Sequence, residues 1–185
     1  MNETQIKIQK MSKALSIVSQ IARICLYVAF SMEIITLLWL ALGSGSEPLL
    51  VFRGSAVYGP LSPEIFKDNS MLEVAVTVIG YITTQAFLLP ILIFANGIFK
   101  DLSIEPLPFQ MKHAKRLNKI AVMTILVSII PGTVQSILYM IFAPDSAANV
   151  DGFGMIGVIV AVLFFFLAKI FEYGLSLQQQ ADETL

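Results

Sequence analysis

Thiol and imidazole chemistry have almost nothing to work with in this chain, which contains one cysteine, Cys25, and one histidine, His113. A single cysteine excludes an intrachain disulfide and leaves a zinc site without thiolate partners, and a single histidine excludes a multi-histidine metal centre. Neither H-E-x-x-H nor G-x-S-x-G occurs, and no nucleophile and base stand at a workable spacing. No catalytic residue, metal ligand or cofactor is therefore assigned, and the chain is not expected to be an enzyme. Gly152-Phe153-Gly154-Met155-Ile156-Gly157 spells the letters of a dinucleotide fingerprint, but no strand precedes it and it opens an apolar helix, so that reading is rejected. Charge is scarce as well: 14% of residues are Asp, Glu, Lys or Arg, where a soluble domain has about 25%.

Apolar surface is abundant instead. Hydrophobic residues make up 56% of the chain and the mean hydropathy is +0.78, more than a water-soluble core absorbs. Four long apolar stretches, at about 24–42, 74–99, 120–142 and 153–171, are each long enough to cross a bilayer as one helix, which needs about 20 residues. They predict an all-α membrane protein with four transmembrane helices in an antiparallel bundle, a small irregular or β-hairpin outer loop and short cytoplasmic helices. With the spans set aside, residues 1–185 leave room for one integral membrane domain and no second, soluble one. The first span starts after about 20 polar and basic residues and ends without an A-x-A site, so it is expected to remain as a helix.

Basic residues are distributed unevenly, and their distribution orients the chain better than its net charge of −1. Lys7, Lys10, Lys13 and Arg23 precede or begin span one, and Lys100, Lys112, Lys115, Arg116 and Lys119 crowd the 100–119 connection. The 43–72 loop has only Arg53 and Lys67, and the 143–152 connection has none. The positive-inside rule then puts both termini, the central loop 100–119 and the tail 172–185 in the cytoplasm, with 43–72 outside.

Local patterns fill in this outline. Ile8, Met11, Leu15 and Val18 recur at helical spacing, which suits an amphipathic helix at the inner interface that runs on into span one. Trp39 fits an outer aromatic belt. Cys25, near the inner end of span one, reads as a packing thiol or an acylation site. In the outer loop, Leu49 to Arg53 and Ala56 to Tyr58 flank Gly54-Ser55 like a hairpin, and Ser62-Pro63-Glu64 can start a short helix. Pro106 and Pro108 end the second helix, while Pro90 and Pro131 predict kinks. Gly157 and Ala161 form a small-xxx-small face suited to close packing.

Two groups of residues are candidate sites. Glu33 lies at the centre of span one, where an ionised carboxylate costs at least about 2.5 kcal/mol, so it is expected to face other helices and be neutral or hydrogen-bonded. Gln85 falls at the midpoint of span two, and span three supplies Thr133 and Gln135 near the same depth, so a polar cluster of Glu33, Gln85 and Gln135 is expected. It serves either as interhelical hydrogen bonding or as a proton, ion or small-ligand site. The second group is cytoplasmic: Lys112, Lys115, Arg116 and Lys119 share one helix face, with His113, Leu117 and Ile120 on another. Phe109, Phe171, Gly174 and Asp182 complete an expected docking or lipid-contact surface, in which Phe171, Leu175 and Leu177 pack against Phe109 and Leu117. Lys169 is expected to pair with Glu172, three residues on.

Several of these residues also carry a family resemblance. The run Leu167 to Leu185, with Ile170-Phe171, Gly174 and a Leu-rich end in Asp182-Glu183-Thr184, resembles the closing signature of a bacterial family of four-span proteins, domain of unknown function 2975. Ile98-Phe99-Lys100, Pro108-Phe109 and Arg116-Leu117 resemble its aromatic-basic step, Pro-Phe pair and Arg-Leu pair. The chain differs at Gln178-Gln179-Gln180 and Glu183, where the family commonly has acidic and apolar residues respectively. The resemblance implies a protein of the bacterial inner membrane and a cytoplasmic partner, a small helix-turn-helix transcription regulator that it senses or sequesters. Membrane lipids and a second copy of the chain are the other expected partners, and no direct nucleic-acid binding is expected. The competing expectation is a small transporter, immunity protein or ligand sensor built around Glu33.

Overall fold

The computed structural model describes residues 3–42, 71–105, 110–142 and 154–183, apart from the side chains of Thr4, Leu40, Met71 and Asp182. It contains four long helices: α1 (Glu3–Ala41), α2 (Met71–Ile104), α3 (Met111–Phe142) and α4 (Met155–Glu183). The described residues contain no strand. The hairpin expected at 49–58, the short helix at 62–66 and the Pro-Phe pair Pro108-Phe109 lie outside the described residues.

All four helices are long and apolar enough to cross a membrane, and their lengths exceed what the hydrocarbon requires. At 1.5 Å per residue, the 39 residues of α1 extend about 58 Å and the 29 residues of α4 about 44 Å, against a core about 30 Å thick. The amphipathic segment expected at 5–20 is the first half of one continuous α1. Similarly, the short helices expected beside spans three and four are the ends of α3 and α4, and most of the 100–119 connection is helical. Both Pro90 and Pro131 lie inside continuous helices.

The chain forms two compact units that interleave along the sequence: unit 1 comprises residues 1–23, 89–125 and 156–185, and unit 2 comprises 24–88 and 126–155. In unit 1 the core is Ile98, Leu117, Ile120 and Ala168, with Phe94, Phe164 and Phe171 among the residues packed on it. Ala161 and Ala168 are fully buried, so α4 approaches its neighbours through alanines while Val162, Leu163, Phe166 and Ile170 face outward. The antiparallel pairing of α1 and α2 can be read from their contacts. Gln9 reaches the Ile104 carbonyl at 3.4 Å, Ser16 meets Asn96 at 2.9 Å, and Ser19 donates to the Leu92 carbonyl at 3.3 Å.

In unit 2, Val74 and Val78 pack with Leu37 and Ile82. Here α2 and α3 run antiparallel: the Thr77 and Tyr139 hydroxyls are 2.7 Å apart, and Gln135 lies against Gly80. A Cβ added at Gly80 would stand 3.0 Å from the Gln135 amide, so a larger residue there would require the Gln135 side chain to shift. Gly154, just before α4, donates its N–H to the Ser128 carbonyl at 3.2 Å.

The inward face of α1 is polar in its first half, and the apolar stripe lies on the outside. Met11, Leu15 and Val18, three members of the expected apolar stripe, are exposed, whereas Ser12, Ser16 and Ser19 are buried. Further along α1 the buried positions Ser12, Ser19, Leu26 and Glu33 recur every seven residues, the period of a packed helix seam. Helices surrounded by hydrocarbon gain little by hiding apolar side chains from it, so small and polar residues take the contact face. Cys25 is exposed and does not pack.

Candidate functional site

Glu33 and Gln85 form the buried polar centre of unit 2. Gln85 Nε2 donates to Glu33 Oε1 at 2.6 Å, Glu33 is 4% exposed and Gln85 is fully buried. The bond links α1 to α2 across 52 positions of sequence. Glu33 Oε2 and Gln85 Oε1, the two remaining acceptors, are buried and have no hydrogen-bond partner. No Lys, Arg or His occurs among the described residues of unit 2, so no cation among those residues neutralises the carboxyl. An unpaired buried acceptor costs about 1–3 kcal/mol, which makes this pair the least satisfied polar group among the described residues of the unit.

Gln135 does not join the pair. Its side chain packs on Gly80, and no hydrogen bond connects it to Glu33 or Gln85. Thr133 is exposed and donates to the Ile129 carbonyl of its own helix. Thr83 and Thr84 likewise donate to Ile79 and Gly80. The expected polar centre is therefore two residues.

Unit 1 holds the basic candidates. As the spacing predicts, His113, Leu117 and Ile120 are buried on one face of α3 while Lys112, Lys115 and Lys119 are exposed on another. The four bases are not equivalent. Asp101 of α2 accepts from Arg116 Nη1 at 2.7 Å and lies 3.1 Å from Lys112 Nζ, which occupies two of the four. Lys119 sits 5.2 Å from the centre of the Phe94 ring, and Lys115 is exposed. The Arg116 guanidinium lies against Gly97, where an added Cβ would stand 3.0–3.2 Å from three of its atoms. Asp101 and Gly97 were not singled out from the sequence. Their signal was the spacing of four, which puts a small residue and an acid on one face of α2 one turn apart.

Phe171 packs on the cluster that contains Leu117, and Gly174 is half-buried. Leu177 is exposed, while Phe109 and the Asp182 side chain lie outside the described residues. Lys169 pairs with Glu172 at 2.7 Å, as expected. A further polar group, missed in the sequence, ties α1 to α2. With the Asn96 amide oriented to satisfy all its neighbours, its nitrogen donates to Ser16 Oγ at 2.9 Å and to the Ser16 carbonyl at 3.2 Å. Its oxygen then accepts from Arg23 at 3.3 Å. His113 is fully buried with both ring nitrogens unpartnered.

Long apolar helices, an outward surface of Ile, Leu, Val and Phe, and inward seams of serine, alanine and amide define a multi-pass four-helix membrane protein. Residues 62–185 match the family model described as protein of unknown function (DUF2975). That match covers most of the chain, and the protein belongs to this family. No curated protein and no solved structure matches it.

Proposed function

We propose that the chain is a non-enzymatic regulatory protein of the bacterial inner membrane that docks a cytoplasmic partner through unit 1. In this reading both termini and the basic ends of the helices are cytoplasmic, in line with the positive-inside rule. The observation that carries it is the end of α4: the helix continues to Glu183, past the residues needed to span, and Tyr173, Leu177 and Gln178 to Gln180 are exposed on it. A small helix-turn-helix regulator is the partner that the family resemblance favours. Truncation after Gly174 tests the docking. The shortened chain keeps all four spans and should insert normally, but a tagged version should lose the cytoplasmic protein that the full chain retains from native membranes. Equal retention by both chains would sink the reading.

A second reading is favoured by the Glu33–Gln85 bond. It makes unit 2 the seat of function, as a small transporter, immunity protein or ligand sensor whose polar pair lies inside the membrane. A buried carboxyl between helices is expensive in hydrocarbon, and such residues face the bundle interior, where they line ion and proton pathways or bond helix to helix.

A further inference from the structure

Among the described residues, three buried groups are left without full partners: His113, the Nε of Arg23, and the Glu33–Gln85 pair. The pair differs from the other two because its two orphan atoms are both acceptors and belong to side chains already bonded to each other. A carboxyl and a primary amide in contact have one mutual arrangement that satisfies both: the amide N–H donates to one carboxyl oxygen, and the other carboxyl oxygen, carrying a proton, donates to the amide oxygen. The first of these bonds is present at 2.6 Å. The two atoms that the second would join, Glu33 Oε2 and Gln85 Oε1, are the two that lack partners.

We infer that Glu33 and Gln85 form a one-proton binding site that clamps α1 to α2, a deepening that rests on the second reading above. The proton sits on Glu33 Oε2 and is shared with Gln85 Oε1, closing a ring of two hydrogen bonds. When it leaves for solvent, Oε2 becomes an anion, the second bond is lost and the carboxylate keeps only the Gln85 N–H. A metal ion fits less well: hard divalent cations take six to eight oxygens, the pair has three, and no group of three or more His, Cys, Asp or Glu that could hold a metal occurs among the described residues. The other titratable side chains on the described helices of unit 2 are Cys25 and Tyr27 on α1, Glu73 and Tyr81 on α2, and Tyr139 on α3. None of them is a base that would hold Glu33 as an anion. The Tyr139 hydroxyl is engaged with Thr77 and with the Glu73 carbonyl.

Infrared difference spectroscopy on the full chain in lipid nanodiscs, titrated from neutral to alkaline pH, tests the inference. A protonated carboxyl has a carbonyl band separate from that of carboxylates, so the wild type should show this band at neutral pH and lose it over a one-proton transition. Glu33→Gln should abolish the band, and Gln85→Met should shift it to higher frequency because the carbonyl loses its donor. Gln85→Asn serves as a second, polar variant if Gln85→Met does not fold. A band that Gln85 substitution leaves unmoved, or one absent at neutral pH, overturns the proton clamp. If Glu33 instead shows carboxylate bands that respond to sodium or potassium, the proton is wrong while the intramembrane site stands. Silence to protons and cations alike removes both.

Discussion

Unit 1 contains every lysine and arginine of the chain except Arg53 and Lys67, whereas the described stretches of unit 2 contain none. The two units therefore handle a carboxylate in opposite ways. Asp101 in unit 1 is surrounded by Arg116 and Lys112, with its side chain 24% exposed to solvent, so it is charged, paired and partly hydrated. Glu33 in unit 2 has an amide for a partner and almost no exposure. The same functional group is a surface latch in one unit and an unresolved demand in the other. The difference comes from what surrounds each group rather than from the group itself. Exposed ion pairs contribute little because water already serves both partners, while a buried polar pair is costly to break because nothing replaces the lost partner.

That contrast ranks the expected effects of substitution. The largest belongs to unit 2. Gln85→Met removes the Gln85 donor to Glu33 and should lower stability by about 1–3 kcal/mol, the range for leaving a buried polar group without its partner. Replacing both residues by Met should recover most of the loss, since two apolar side chains of similar volume leave nothing unsatisfied. Thermal unfolding of the single and double variants in one detergent measures both, and additive losses would show that the pair is not coupled.

An intermediate effect is expected where unit 1 packs through small residues. Ala168→Leu forces side-chain volume into a fully buried contact and should cost about 1–3 kcal/mol, read in the same unfolding assay. A wild-type transition in that variant would mean that α4 contacts its neighbours more loosely than its buried alanines indicate.

The smallest effect concerns the latch. Asp101→Asn should cost no more than about 1 kcal/mol, and less as salt is raised, as for other solvent-accessible pairs. Gly97→Ala should reproduce this loss without altering any charge, because the new methyl displaces the Arg116 guanidinium that lies on Gly97. An Asp101→Asn loss that matches Gln85→Met, or that ignores salt, would erase the distinction between the units.

Hydropathy alone made the four helices legible, because a bilayer imposes a length and a composition that few other environments do. Glu33 and Gln85 were legible for a related reason: a polar side chain at that depth has to find another, and few are available. Gln135 misled because depth along a helix says nothing about direction around it, and its side chain turned onto Gly80 instead. The face carrying Lys112, Lys115, Arg116 and Lys119 was legible from spacing, but not the capture of two of its members by Asp101, which depends on how α2 and α3 meet. The serines of α1 went unread because the eye follows apolar stripes, and in hydrocarbon the apolar side faces out.

The hydroxyl groups of the helices have a consequence for assembly. Ser31, Thr36, Thr83, Thr84, Thr124, Thr133 and Ser136 each donate to a carbonyl three or four residues back on their own helix. Such bonds can form as soon as a helix does, so these seven groups are served while each segment is still alone in the bilayer and add little to the drive for helices to meet. Gln85 and Asn96 have longer amide arms, and their partners Glu33, Ser16 and Arg23 lie on another helix. Both residues belong to α2, and both reach toward α1. The hairpin of α1 and α2 is accordingly the pair with most to gain from early association after insertion, with α3 joining later to supply the partners of Asp101 and Thr77 on α2.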